Sequence, residues 1–262
     1  MTDVVVSSRL VISQEHLHHH AISVLNEHPD LRTRVVEALT GEILLETTER
    51  RRRSERYLGV TAQSLNMALK SRFRAAGGWQ FEATVQDGVI VGSADHETRI
   101  EGFDIASFGE RANLARLWSV CFGRRTVRDG AQQWRRYVYL RPHLTSLAEE
   151  VAAMGVPGED LVLDPIEPTV LGEIQFGNWA LAHRDIMKLL AAAAETDVDL
   201  FVYVAADGRL AEMISQGTVS FERTRDLLRE YSSVVNVPTW LVGIDFAEGA
   251  EPSLDSVVAG LH

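Results

Sequence analysis

The clearest pattern of apolar and polar positions lies in the last third of the chain, where short apolar runs alternate with segments of helical spacing. A short apolar run between polar residues is typical of a buried strand, whereas apolar residues three and four apart are typical of a helix. These patterns predict strands within 167–176 and at 199–205 and 239–244, and helices at 179–195 and 222–231. Strands and helices that alternate at this spacing favour a largely parallel sheet with right-handed crossovers.

The first part of the chain is less regular. Alternating or short apolar runs predict strands at 4–13, 42–45 and 134–140, and a β-meander across 79–107. Helical spacing predicts helices at 15–39, with a break near Pro29, and at 58–76, 113–121 and 144–154. The whole pattern predicts an α/β fold with a central mixed sheet flanked by helices and an additional N-terminal β-meander and helices. We expect a single domain over residues 1–262.

Composition narrows the class of protein. The chain has 262 residues, of which 45% are hydrophobic, so it can bury a substantial core. Its one cysteine, Cys121, excludes a disulfide framework and a multi-cysteine zinc site, and favours a reducing compartment. The sequence contains no long uncharged apolar run and no basic flank followed by an apolar stretch at its start. We therefore expect a cytoplasmic protein that does not enter a membrane.

The net charge of −11 argues against a protein that coats nucleic acid nonspecifically. Only two of the 26 basic residues are lysines, Lys70 and Lys188, and arginine binds phosphate in a bidentate manner that lysine cannot match. Two basic segments are candidates for contacts with a nucleic-acid backbone, although such segments are also typical of solvated surfaces. Their residues are Arg50, Arg51, Arg52, Arg53, Lys70, Arg72 and Arg74.

Two polar residues interrupt the apolar strand predicted within 167–176. Glu173 and Gln175 are two positions apart, so their side chains point to the same face. A bare Glu-x-Gln pair is usually a solvated face, but here the flanking residues are apolar and the next helix should cover the sheet. Because burying a carboxylate without a partner is costly, a cation at this face is favoured.

An acid upstream suggests which cation. Asp164 lies nine positions before Glu173, and both carboxylates can approach one hard divalent ion. Mg²⁺ prefers oxygen ligands and needs only one or two carboxylates beside a substrate phosphate, so the backbone carbonyl of Ile174 would complete the set. Gln175 would hold the attacking water. Glu167 also lies between the two acids, so either Asp164 or Glu167 can be the first ligand.

The segments GEIQFGNWALAHRDIMKLL, DLFVYVA and VPTWLVGI occur in this order after the acid. Together they resemble the catalytic core of the BglII-type restriction endonucleases, a branch of the PD-(D/E)xK nucleases in which glutamine replaces the usual lysine. The resemblance covers Asp164 to Phe246 and implies a restriction-endonuclease-like core at about 160–246. It implies that Asp164 and Glu173 bind Mg²⁺ and that Gln175 takes the place of the lysine.

The resemblance further implies a homodimeric type II enzyme that hydrolyses phosphodiester bonds in double-stranded DNA at a short palindrome. Residues 1–159 would then contribute DNA-binding and dimer contacts. Lys188 is the nearest lysine, but it appears too late in the following helix to replace the one missing from the strand. Two alternatives stay open: a repair or recombination nuclease that recognises DNA structure, and a DNA-binding regulator that does not cut.

Three further features have ordinary structural interpretations. The histidines His16, His18, His19 and His20 are expected at an exposed helix start rather than in a metal site, because no further ligand is evident nearby. His183 is expected on a helix surface. Asn178 directly follows the strand and is expected to cap the next helix.

Overall fold

The structure is a computed structural model that describes residues 4–52, 55–92, 102–214 and 217–252. Its contacts divide the chain into two compact units. The first unit comprises residues 1–79, 172–188 and 200–262, and the second comprises 80–171 and 189–199. That these units act as the single domain expected from the sequence stays a prediction.

The elements follow one another along the chain in this order: β1 (Val4–His18), α1 (Ala21–Glu27), α2 (Pro29–Leu39), β2 (Gly41–Arg52), β3 (Glu55–Val60), α3 (Ala62–Ala76), β4 (Gln80–Gln86), β5 (Val89–Val91), β6 (Phe103–Ser107), α4 (Glu110–Phe122), α5 (Gly130–Tyr139), α6 (Thr145–Met154), β7 (Val170–Gln175), α7 (Ala180–Glu195), β8 (Leu200–Ala206), α8 (Gly208–Ile214), α9 (Phe221–Glu230) and β9 (Thr239–Phe246). A short 3-10 helix, Pro142–Leu144, precedes α6. None of the described helices is long and apolar enough to cross a membrane.

The first unit is built on a mixed sheet in which the strand order is β3-β2-β1-β9-β8, with β7 beside β8. β8 and β9 are parallel, and the chain between them contains α8 and α9. Every residue of β8 is buried, which explains its unbroken apolar sequence. β1 pairs antiparallel with both β2 and β9. The α/β class with a mixed sheet is thus confirmed.

β1 is longer than its sequence pattern predicts. Residues 15–18 share a helical spacing with residues 22–35, but they pair with β9, in the register Glu15↔Val242 to His18↔Thr239. The expected helix start at His16 and His18 is therefore wrong, because strand pairing outweighs a weak local preference. The basic segment that begins at Arg50 also takes part in strand pairing. β2 and β3 form a hairpin in which Arg50 pairs with Tyr57.

In the second unit β4 is the central strand, with β5 and β6 paired antiparallel on its two sides. The predicted meander is therefore wrong in its order, although the strands exist; residues 93–101 lie outside the described part. The strand predicted at 134–140 is also wrong, because residues 134–139 belong to α5. Trp134, Tyr137 and Val138 have helical spacing and pack on a core with Trp118 and Cys121 of α4.

Candidate active site

Glu173 and Gln175 lie on one face of β7 and are both buried, as are their apolar neighbours Ile174 and Phe176. The face they share is therefore not solvated. Asp185 and Lys188 of α7 contact these two side chains, and Tyr203 of β8 contacts Asp185. We call Glu173, Gln175, Asp185, Lys188 and Tyr203 the β7–α7 polar cluster.

The amide of Gln175 is fixed at both ends. Its Nε2 donates a hydrogen bond of 2.9 Å to Oδ2 of Asp185, and its Oε1 accepts one of 3.0 Å from the backbone N–H of Gly177. The hydroxyl of Tyr203 donates to the same Asp185 oxygen at 3.0 Å. Asp185 is completely buried, and these two donors offset part of the cost of removing its carboxylate from water.

Glu173 has a charged partner. The ammonium of Lys188 forms an ion pair with Oε1 of Glu173, and the Lys188 side chain is itself mostly buried. Asp185 and Lys188 are three residues apart on α7 and so share one face of the helix. Because the later strand residue contacts the earlier helix residue, α7 runs back along β7 in the opposite direction.

Lys188, expected to be poorly placed to replace the missing strand lysine, thus brings its ammonium to Glu173 on the strand. Four residues, 176–179, reverse the chain between β7 and α7, and the helix then passes over the polar face of the strand. Asn178 accepts a hydrogen bond of 3.0 Å from the backbone N–H of Ala180 at the helix start, which agrees with its expected capping role. No helix propensity or strand period predicts a contact of this kind, because it depends on the turn.

The upstream acids lie in the second unit and have different neighbours there. Asp164 is exposed and lines a groove with a volume of 380 Å³, whose other charged residues include Arg116, Glu195 and Asp197. Glu167 is also exposed and lies beside Gly109. Burial raises the pKa of Glu110, which the charge of Arg141 lowers and that of Glu167 raises. The pairing of either upstream acid with Glu173 in a metal site stays a prediction.

The donor chemistry of the β7–α7 polar cluster suits a divalent cation. Mg²⁺ prefers carboxylate and carbonyl oxygens. The cluster contains the carboxylate of Glu173, and Ile174 beside it has a backbone carbonyl. A second buried carboxylate oxygen, Oδ1 of Asp185, accepts no hydrogen bond from the described residues and lies 3.6 Å from the guanidinium of Arg184. No set of three or more histidine, cysteine or acidic side chains among the described residues is arranged to hold a metal by itself. Any such ion would therefore keep waters or a substrate oxygen in its shell.

Two of the arginines expected to bind DNA are occupied within the fold. Arg72 of α3 donates to the backbone carbonyls of Glu37, Ala38 and Glu42 at 2.7, 2.8 and 2.7 Å, and also to that of Thr40. It thus satisfies carbonyls that the end of α2 leaves without helical partners. Arg50 donates to the carbonyls of Ile214 and Val60. No pattern in the sequence indicates these structural roles.

The remaining predicted DNA contacts are less constrained by the structure. Arg74 is exposed and Lys70 half-buried, both on α3. The side chains of Arg51 and Arg52 lie outside the described part of the structure, as does the whole of Arg53. DNA binding by all of these residues stays a prediction.

The histidines and the cysteine show no catalytic arrangement among the described residues. The ring nitrogens of His18 and His19 lie 3.3 and 3.2 Å from the backbone carbonyls of Val235 and Ser232. Burial, the largest cause, lowers the pKa of both His16 and His18. His183 is exposed on α7, as expected, with its ring edge-on to Trp179. Burial raises the pKa of the Cys121 thiol to about 11, so this cysteine is not a nucleophile at neutral pH.

The chain is similar to solved structures of BglII. A crystal structure of restriction endonuclease BglII complexed with a DNA 16-mer matches at 13% identity and a TM-score of 0.45, over 93% of this chain and 76% of that one. A structure of free BglII matches at 10% identity and a TM-score of 0.40, over 93% and 79% of the respective chains. No curated protein matches the chain.

The family described as restriction endonuclease BglII/BglIII matches residues 13–244. This range includes β7, α7, β8 and most of β9, as well as most of the first half of the chain. The match covers far more than the segments after Asp164 that carry the resemblance in the sequence. The chain therefore belongs to the BglII/BglIII family of restriction endonucleases and is a site-specific deoxyribonuclease.

Proposed function

We propose that this endonuclease is a Mg²⁺-dependent homodimer that hydrolyses one phosphodiester bond in each strand of a short palindromic site in double-stranded DNA. The observation that carries the proposal is the buried Glu173-x-Gln175 pair on β7, within a chain of the BglII/BglIII family. Two-fold symmetry in a dimer matches two-fold symmetry in a palindromic site. We expect the enzyme to act in the cytoplasm.

In this proposal Glu173, the carbonyl of Ile174 and Asp164 hold the ion, with Glu167 as the alternative to Asp164. A bound Mg²⁺ polarises a phosphoryl oxygen and lowers the pKa of a bound water. Glu173 contributes a carboxylate that cannot move into solvent, because its strand and the covering helix enclose it. Such fixed geometry is what positions a phosphate for in-line attack.

Gln175 orients the attacking water. A glutamine amide has two N–H donors and one carbonyl oxygen with two lone pairs. One donor is used by Asp185 and one lone pair by Gly177, which leaves one N–H and one lone pair for a water. Because Asp185 and the backbone N–H of Gly177 hold the amide in one orientation, the direction of that remaining N–H is set by the protein.

Binding to DNA is proposed to use basic residues of the β2–β3 hairpin and α3. Arg74 and Lys70 are the described candidates, and Arg51, Arg52 and Arg53 form a separate basic segment earlier in the sequence. Contacts of this kind position the duplex without reading its bases. Arg50 and Arg72 are weaker candidates, because their guanidinium groups donate to backbone carbonyls.

The proposal is tested by incubating the full chain with phage DNA in the presence of Mg²⁺, Ca²⁺ or a chelator. Discrete fragments with Mg²⁺ and none with the chelator are expected, and the ends of the fragments give the site and the cut position. Sedimentation with a duplex that contains this site should give two chains per duplex. Smeared products, or cutting only at branched DNA, would instead indicate a structure-specific nuclease, and binding without cutting would indicate a regulator.

A further inference from the structure

The two carboxylates of the β7–α7 polar cluster differ in the charge of their partners and in the exposure of those partners to solvent. Asp185 is fully buried, and its Oδ2 accepts hydrogen bonds from neutral donors of Gln175 and Tyr203. Glu173 is held by the ammonium of Lys188, whose side chain is 18% exposed while that of Glu173 is 4% exposed. The cation therefore has a route to solvent that the carboxylate does not have.

The chemistry of lysine allows the more exposed partner, Lys188, to separate from Glu173. Its ammonium is a compact, strongly hydrated charge at the end of a flexible four-carbon stem, so it can leave one partner and regain its hydration in water. Glu173 sits on a strand between buried neighbours and cannot follow it. When the ammonium leaves, the buried carboxylate needs another cation in its place.

We propose that Lys188 is an exchangeable counterion of Glu173. In the metal-free protein its ammonium neutralises the carboxylate and keeps it in position, and a divalent cation takes its place when it binds. Lys188 is thus a positioning residue that competes with the ion for one oxygen donor. This inference rests on the proposed function, since it takes Glu173 as a ligand of the ion.

Competition between Lys188 and the ion predicts that one variant loses stability without metal but gains affinity for metal. Lys188→Met keeps an unbranched apolar side chain about as long as the lysine stem but removes the charge. The metal-free variant should melt several degrees below the unmodified protein, because Glu173 loses its ammonium. The same variant should bind Mn²⁺ or Mg²⁺ several-fold more tightly and gain a larger rise in melting temperature from the metal, because no internal cation has to be displaced.

Two further variants serve as controls. Lys188→Arg keeps a cation beside Glu173, so its response to metal should stay close to that of the unmodified protein. Arg209→Met removes an ion pair of 2.7 Å with Glu212 in which both side chains are more than half exposed. Since exposed pairs contribute little, Arg209→Met should change neither the metal-free melting temperature nor the response to metal.

The measurement is the melting temperature of the full chain over a titration of Mn²⁺ and of Mg²⁺, with binding constants from calorimetry. Equal responses to metal in Lys188→Met and the unmodified protein would overturn the inference, as would an unchanged response in Glu173→Gln, because the ion would then bind elsewhere. An unmodified protein that neither binds metal nor cuts DNA would contradict the proposed function itself. A protein that cuts, with equal metal responses in both chains, would contradict only the role of Lys188.

Discussion

The β7–α7 polar cluster in the first unit and the loop before β7 in the second unit place carboxylates in opposite environments. Glu173 and Asp185 are buried and contact a lysine, a glutamine and a tyrosine of the same chain. Asp164 and Glu167 are exposed. A buried acid therefore has a structural role whatever its catalytic role, whereas an exposed acid can be replaced with little effect on folding. Loss of activity has a different meaning in the two regions.

The largest expected effect is on cleavage. Glu173→Gln keeps the shape of the side chain and removes its charge, so cleavage should fall by about 10³-fold, as expected when several kcal/mol of metal-dependent stabilisation of the transition state are lost. Asp164→Asn and Glu167→Gln are the matched variants in the exposed loop. The one that falls as far as Glu173→Gln is the second ligand, and rates of plasmid linearisation in Mg²⁺ measure all three.

Loss of cleavage in Glu173→Gln indicates a catalytic defect only if the variant still binds DNA. Removing the acid also removes its repulsion of the phosphate, so the affinity for a specific duplex should be unchanged or higher in a gel-shift assay with Ca²⁺. A variant that still cuts at the full rate would exclude Glu173 from the site. Full activity in both loop variants would leave Glu173 without its proposed second acid.

The next effect is on stability. Asp185→Ala should lower the free energy of unfolding by about 3 kcal/mol, because it leaves the donors of Gln175 and Tyr203 buried without their acceptor. Asp164→Ala, at an exposed position, should cause no measurable change. Urea denaturation of the metal-free proteins tests the pair. Equal stabilities would mean that the contacts of Asp185 contribute nothing to folding.

The same contrast applies to two arginines of α3, with a smaller effect. Arg72→Ala should cost about 2 kcal/mol of stability, because several backbone carbonyls at the end of α2 lose their donor. Arg74→Ala should leave stability unchanged and lower the salt dependence of DNA binding by about one unit of slope if Arg74 contacts a phosphate. Denaturation and binding at several salt concentrations separate the two roles. If the salt dependence of DNA binding changed in Arg72→Ala instead, Arg72 would be a DNA contact.

The smallest effect concerns an acid of intermediate burial, Glu110 at the start of α4. Its pKa is raised from the ordinary value of 4.5, chiefly by burial, so folding favours its protonated form. The stability that protonated Glu110 contributes is fully present below the pKa of the unfolded state and is lost as the pH rises through the pKa of the folded state. Glu110→Gln should therefore be more stable than the unmodified protein at pH 7, and the difference should vanish towards pH 4. A difference that is independent of pH would contradict this cause.

The sequence predicted β7, β8 and β9 because their apolar runs are buried, and α7 and α9 because apolar residues recur there at helical spacing, but it did not predict α8. It misjudged 134–140 because the short apolar run at 137–140 is typical of a strand, whereas the helical spacing of Trp134, Tyr137 and Val138 is decided by packing on α4. Glu173 and Gln175 were recognisable as two polar residues in an apolar strand. Their partners Asp185 and Lys188 were not, because these contacts depend on how a four-residue turn directs the next helix.

The contacts of α7 with β7 also restrict the number of residues in the turn between them. One residue added between Phe176 and Ala180 would rotate α7 by about 100° and shift it by about 1.5 Å. Asp185 and Lys188 would then leave the strand together, since the same helical face presents both. Homologous enzymes that keep this arrangement should therefore tolerate many sequences in the turn but neither an insertion nor a deletion.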